Sequence, residues 1–316
     1  MNFPVFDLHC DTALKLLGDN FWACGDLGQN ELHIDLKRAG ELPGYAQCFA
    51  CFTSPEFPAN GVKPEELFER QMVSVLREVE THSNKISLCY SADDIIGNYE
   101  AGKMSAILTI EGPAGFGYDP ALLEDLYKIG FRITTLGWNE RNVLTGSHKT
   151  GGGLTEQGRE YVKEAQRLGM LVDVSHISDE GFWDIMEITN GPVIASHSNS
   201  REIFNVSRNI TDDMFRAICR TGGVTGINLY ADFLGENPTL DTVCDHILHF
   251  IEVDGSADHI ALGGDLDGCD KLPAGFMGVQ DYQKLADALI LRGLDCETVH
   301  NIFWKNAIGV MKLCCM

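Results

Sequence analysis

Five short segments, far apart in the chain, each end an apolar run on residues able to bind a metal or move a proton. VFDLHCD (5–11) closes on His9 and Asp11, and SAILTIEGP (105–113) on Glu111. LVDVSHIS (171–178) closes on His176, with Asp173 earlier in the same run, and PVIASHSNS (192–200) on His197. HIALGGDLDG (259–268) ends in Asp265 and Asp267. Successive side chains of a strand point to opposite faces, so His9 and Asp11 share one face and Cys10 points away. Such a pair is half of a metal site or a buried hydrogen-bonded pair. A Glu at a buried strand end needs a partner, which coordination or a salt bridge would supply. His176 and His197 read singly as ligands or as core histidines. Taken together on one rim, the residues favour ligation. Three His, one Asp and one Glu exceed what one four-coordinate zinc with an open position uses. They suit two cations sharing a carboxylate, ~3.5–4 Å apart, able to hold a hydroxide and polarise a carbonyl. Imidazole with carboxylate suits zinc, with Mn, Co or Fe chemically admissible.

Positioning these residues requires strands that all end at one place. Short β-rich runs are expected at 4–9, 45–52, 86–90, 105–111, 131–137, 170–175, 192–196, 223–229 and 259–264. Runs such as SAILTI and VTGINL are nearly continuous apolar, as in parallel strands covered on both faces. Amphipathic stretches separate them. PEELFERQMVSVLREVETH places Leu67, Met72, Val75, Leu76 and Val79 at helical spacing. Ser91, Thr155, Ser178 and Thr211 stand where helix N-caps are expected. This rhythm, about eight βα units without a long linker, predicts a single (β/α)8 TIM-barrel domain over 1–316, ahead of a doubly wound open sheet. In such a barrel, catalytic groups sit at the C-terminal ends of the strands, where all five segments place theirs. GSHKTGGGL (146–154) reads as a connecting loop. It lacks the form of a phosphate loop.

Composition narrows the partners. The 316 residues include 46 acidic and 24 basic side chains, a net charge of −22. That repels nucleic acid and anionic membrane surfaces. No segment reaches the ~20 apolar residues of a membrane span. MNFPVFDLHCD has no basic leader, so no secretory signal is expected. The 11 cysteines are scattered without a C-x-x-C pair, and adjacent Cys314 and Cys315 are not expected to pair. Reduced thiols in a cytoplasmic protein are the plain reading.

The same segments, taken in order, resemble the membrane (renal-type) dipeptidases, peptidase family M19, built on the amidohydrolase-like metal-dependent barrel. The matching pieces are FDLHCD, TIEGP, DVSHIS, ASHSNSREIFNVSRNITDD and GGDLDG, followed by the terminal HNIFWKNAIGVMK. They cover nearly the whole chain. The resemblance implies two zinc ions: His9 and Asp11 on the first, His176 and His197 on the second, Glu111 bridging. It implies that Arg208 holds the substrate's C-terminal carboxylate and that Asp265 sits beside the nucleophilic water and the substrate amine. Tyr230 matches a substrate-contacting tyrosine. Trp138, in TTLGWN, stands where several members carry a substrate-binding His, which leaves carbonyl polarisation more to the metal.

The expected activity is therefore hydrolysis of small dipeptides, including those with a C-terminal D-residue, by a metal-bridging hydroxide with Asp265 as proton carrier. A homodimer is expected on the same resemblance. The alternative is another barrel hydrolase (amidase, lactonase or deaminase) on the same metals. Those relatives often show H-x-H on the first strand and a carboxylated lysine, where this chain has H-x-D and no strand-ending Lys. A non-catalytic metal- or peptide-binding protein would lack the acid that Asp265 provides.

Overall fold

The computed structural model describes residues 2–22, 25–57 and 59–314. Cys24 and Cys315 lie outside them. All nine expected strands are present: β1 (Val5–Cys10), β2 (Tyr45–Phe52), β3 (Ile86–Leu88), β4 (Met104–Glu111), β5 (Phe131–Thr135), β6 (Leu171–Asp173), β7 (Val193–Ile194), β8 (Thr225–Ile227) and β9 (Ile260–Leu262). They form one parallel sheet in the order β7-β6-β5-β4-β2-β1-β9-β8, with β3 paired to the start of β4 off this path. Ala195, just past β7, bridges Thr225 of β8, so the two edges meet. The result is a nearly closed eight-strand barrel with surrounding helices. The first strand lies between the second and the last.

Parallel strands covered on both faces need apolar side chains on both. Phe6, Leu8, Ala46, Cys48, Ile107, Ile133, Leu171, Ile194 and Ala261 point to the interior cluster. Trp304, Ala307, Ile308 and Met311 of the C-terminal segment join that cluster. The chain's last helix thus stops the N-terminal end of the barrel and leaves the other end for chemistry. Val5, Phe49, Leu108 and Val172 face outward, among helix residues such as Val75 and Tyr161. Where β7, β8 and β9 converge, a Cβ on Gly226 or Gly263 would collide with the Ser196 carbonyl, so only glycine permits that approach.

The capping expectations hold. The side chains of Ser91, Thr155, Ser178 and Thr211 accept from the backbone N–H of Asp94, Gly158, Gly181 and Met214. Helix Pro64–Thr81 differs in its inner face. Leu67, Val75 and Val79 are buried as read, but Met72 and Leu76 are only partly so, and Gln71 and Ser74 are buried instead. The Gln71 amide explains this. It accepts from Phe52 N at 3.0 Å and donates to Phe52 O at 2.7 Å, satisfying the end of β2, where pairing to β4 continues but pairing to β1 has stopped at Phe49.

The floor packing yields a test. Trp304 is 6% exposed among interior side chains. Trp304→Ala should cost about 3–5 kcal/mol in reversible denaturation, while the metal content of the folded variant stays that of the wild type. A loss below about 1 kcal/mol would show that this helix does not seal the barrel.

Candidate active site

At the opposite end, the residues singled out in the sequence come together. His9 reaches the interior through an irregularity. Phe6 and Leu8 face inward, yet Cys10 packs outward with Val5. A register shift between Asp7 and Cys10 resets the alternation. His9 and Asp11 therefore face the barrel mouth, and Cys10 points away as expected. Glu111 arrives at the end of β4, His176 and His197 follow β6 and β7, and Asp265 follows β9. His176, Asp265 and Asp267 adopt left-handed backbone, with φ of 70°, 55° and 68°. Non-glycine residues rarely do so, and such strain collects at functional sites. A Cβ on neighbouring Gly268 would overlap both Asp11 Oδ2 and Asp265 Oδ1, so glycine is needed for these carboxylates to approach.

The geometry is that of facing donors. His9 Nε2 lies 3.5 Å from Glu111 Oε2, 3.7 Å from Asp11 Oδ2 and 4.0 Å from Asp265 Oδ1. The other oxygen of Glu111 lies 3.0 Å from His176 Nε2 and 4.0 Å from His197 Nε2. His176 Nε2 and His197 Nε2 are 3.0 Å apart. The His9 and His197 rings stack at 3.7 Å. Each Glu111 oxygen thus faces a different part of the donor set.

Surrounding side chains fix which nitrogens face inward. Asn139 Oδ1 accepts from His176 Nδ1 at 3.2 Å and from His148 Nε2 at 2.8 Å. His148 Nδ1 meets Ser207 Oγ at 2.9 Å. Ser196 Oγ donates to Asp173 Oδ2 at 2.5 Å, so it accepts from His197 Nδ1 at 2.6 Å. Both Nδ1 atoms carry the proton, and both Nε2 lone pairs point at one spot. Asn228 Nδ2 donates to Asp265 Oδ2 at 3.0 Å. Asp267 has a different task. It receives Thr12 Oγ1 at 2.5 Å and His33 N at 2.6 Å, latching the 25–35 loop to the first strand end.

Do these residues suit a divalent metal? His9 Nε2 is buried and makes no hydrogen bond. Two donors each ~2.1 Å from one ion in tetrahedral geometry stand roughly 3.4 Å apart, close to the 3.5 Å and 3.7 Å found around His9. Lone pairs facing one another at 3.0 Å repel unless a cation lies among them. His9, Glu111 and His197 form one compact donor triad, and His9, Asp11 and Asp265 another. The donor set fits.

Electrostatics agree. Burial pushes Glu111 up to about 7, aided by the Asp11 charge. Burial likewise raises Asp265 to about 6. Burial alone would lower His9, but the charges of Glu111 and Asp11 hold it well above the usual imidazole range. His176 and His197 are pushed well below that range by burial, helped by the charges of Arg208 and of His9 respectively. They stand as neutral imidazoles, the form that binds metals.

Above the donors lies a cavity of about 470 Å³, lined by Asp11, Glu111, His176 and Asp265 together with Phe52, Phe57, Trp138 and Tyr230. Trp138 packs edge-on against Phe52 at 5.0 Å, and Tyr230 against Phe233 at 4.8 Å. Arg208 is 4% exposed beside His176. Its Nη1 donates to Ser198 Oγ at 2.9 Å, while Nε and Nη2 have no partner. The 146–154 segment is a loop, as read, but a pinned one. Ser147 bridges Ile177, and His148 N donates to His176 O at 2.8 Å. It brings His148 and Lys149 to the cavity wall.

Asn139, His148, Ser196 and Asn228 escaped the sequence reading. A polar Asn directly after an apolar strand, as in TTLGWN, is the one cue that pointed to any of them. The others depend on contacts between separate loops.

Comparison with known proteins decides the kinship. A family model described as membrane dipeptidase (peptidase family M19) matches residues 1–314. The chain belongs to this family. An uncharacterized dipeptidase of Schizosaccharomyces pombe is 35% identical over 307 residues, covering 94% of this chain and 70% of the relative. A dipeptidase of Claviceps purpurea, tcpJ, is 29% identical over 89% of this chain and 69% of its own. Among solved structures, a metallo peptidase from Rhodobacter sphaeroides, liganded with a phosphinate mimic of the dipeptide L-Ala-D-Ala, superposes with a TM-score of 0.88. It is 26% identical, over 99% of this chain and all of the other. The family is one of metal-dependent peptidases, and this chain carries a cluster of side chains able to hold a metal.

The charge crowding makes a stability prediction for this dipeptidase-family chain. Between about pH 7 and 8, native His9 still holds a proton that the unfolded chain has released, while Glu111, at about 7, gives up the last of its own. The native state then binds more protons, so stability falls as pH rises. The lowered His176 and His197 act in the opposite sense, but below about pH 6.5, the ordinary imidazole value. Calorimetry of chelator-treated protein should show Tm dropping from pH 7 to 8. Metal-loaded protein, with a cation in place of those protons, should hold or gain Tm over the same range.

Proposed function

We propose that the chain is a zinc-dependent dipeptidase acting on small dipeptides, with two cations per chain bridged by Glu111. The observation that carries this reading is the placement of Glu111, one oxygen toward His9 and the other toward His176 and His197. His9 and Asp11 would hold one cation, His176 and His197 the other. When bound, such a pair would bring a shared water to a pKa near 7 and polarise the scissile carbonyl.

The chain's own residues supply the remainder. Arg208 offers Nε and Nη2, buried and unpartnered, to the substrate's C-terminal carboxylate. A planar guanidinium can donate to both oxygens and so convert recognition into positioning. Asp265, oriented by Asn228, accepts the proton of the attacking water as the C–O bond forms. It returns that proton to the leaving nitrogen as the C–N bond breaks. Phe52, Phe57 and Trp138 wall the cavity and shield the reacting bond from bulk water. Trp138 has no imidazole to offer the carbonyl, so its part is one of shape. Tyr230 lines the same cavity, beside Phe233. The dipeptide mimic bound by the Rhodobacter relative supports a D-residue at the C-terminal position.

Among the described residues no helix is long and apolar enough to cross a membrane. Cys10, Cys51 and Cys269 are buried free thiols, which supports a cytoplasmic setting. We further propose a homodimer, on the family resemblance.

Hydrolysis of the four dialanine stereoisomers, with and without chelator, tests the reading. Activity should vanish on metal removal and return with zinc; turnover by fully metal-free protein would refute it. Glu111→Gln should lower kcat at least about hundredfold, the scale of losing one oriented charge at a reacting centre. Arg208→Lys should raise KM about tenfold or more with a smaller change in kcat, since a charge-assisted hydrogen bond is worth roughly 1.5–3 kcal/mol. A fall confined to kcat would move Arg208 from substrate binding to the chemical step.

A further inference from the structure

A second group of ligand-type side chains lies at the other end of the barrel. Cys219 is in the last turn of helix Asp212–Arg220, Asp254 ends helix Leu240–Asp254, and His259 directly precedes β9. Their donor atoms lie within 4.8 Å of one another, and all three residues are half-buried. They share a surface groove with Arg216, Arg220 and Val253.

Three features mark this as more than a chance meeting. First, the donors are oriented by atoms that would not bind a metal. His259 Nδ1 donates to the Gly223 carbonyl at 2.7 Å, which leaves Nε2 as the lone-pair nitrogen. Ser256 Oγ donates to Asp254 Oδ2 at 2.8 Å and so holds the carboxylate. Such outer hydrogen bonds are the habit of metal ligands. Second, two helices end here, and the partial negative charge at their C-termini favours a cation. Third, the donor set is mixed S, N and O, which suits zinc and its neighbours rather than calcium or magnesium. The nearby arginines sharpen this choice. Arg216 is paired with Asp213 at 3.0 Å, but both guanidiniums add positive charge that a weakly held hard cation would not overcome. A thiolate bond can.

We propose that Cys219, Asp254 and His259 form a separate binding site for a zinc-class divalent cation at the foot of the barrel. A water completes the fourth position. Binding breaks the S–H bond, forms a metal–sulfur bond and releases the proton to solvent. Burial and the Asp254 charge push the Cys219 thiol up to about 12 in the metal-free protein. The bound ion would tie two helix ends to the start of β9, clamping the elements that lead into Asp265.

The test uses full-length protein stripped with chelator and titrated with Co(II) alone. Thiolate-to-cobalt charge transfer absorbs in the near ultraviolet, and the donors at the barrel mouth contain no sulfur. The band should appear in wild-type protein and in Glu111→Gln at equal amplitude. It should vanish in Cys219→Ser, whose zinc content should fall by about one ion per chain while dipeptide hydrolysis persists. Asp254→Asn should weaken Co(II) binding at this band at least tenfold, a check that does not touch the thiol. No band in the wild type, or a band of full size in Cys219→Ser, overturns the proposal.

Discussion

Lone pairs aimed at lone pairs are the constraint on which this molecule is organised. His176 and His197 present unprotonated nitrogens to each other at 3.0 Å, and Glu111 adds a carboxylate oxygen at the same distance from His176. Left alone, such a group would swing apart. It does not do so here because each member is held from behind. Asn139 holds one imidazole, the Ser196–Asp173 pair holds the next, and Asn228 holds Asp265. The repulsion is stored in the fold, and a cation is its natural release. The left-handed backbone at His176 and Asp265 belongs to the same account. Strain is tolerated where packing over-determines the geometry.

The division of labour between the barrel's ends follows from this. One end is filled by Trp304 and its apolar neighbours, which contribute rigidity and no chemistry. The other end has no such plug. Its polar residues pair with loops that come from several βα units, so no single segment can relax without disturbing the others. Arg208 illustrates the cost. A buried guanidinium with two idle nitrogens is expensive to keep, and a binding site for a carboxylate is a reason to keep it.

Much of this was legible in the sequence, for a physical reason. Parallel strands buried on both faces must be apolar throughout, so a His or a carboxylate at the end of such a run stands out. The nine runs and the side chains of His9, Asp11, Glu111, His176, His197 and Asp265 could be found that way. Helix caps were equally plain, because a Ser or Thr before an acidic turn has a local cause. What stayed hidden depends on distant partners. The bulge between Asp7 and Cys10 breaks the alternation that strand reading assumes. Gln71 looks like a surface residue until the open end of β2 is beside it. His148, in a glycine-rich loop, acquires its place only because Ser147 pairs with Ile177. Asp265 and Asp267 look alike in GGDLDG, yet one faces the donors and the other latches a loop.

The seat of the first strand between the second and the last carries a consequence for how the protein comes into being. During synthesis, residues 5–10 leave the ribosome early and must wait for residue 260 and beyond before their second edge is covered. Until then the sheet is open, His9 has no Asp265 beside it, and the wall that defines the donor geometry is missing. Such long-range closure is slow and exposes an unpaired edge to other chains. The nascent chain therefore cannot mature piecemeal. The stretch around β9 is what turns a row of waiting strands into a vessel, and cutting it away would cost the centre whose first ligands stand at the end of β1.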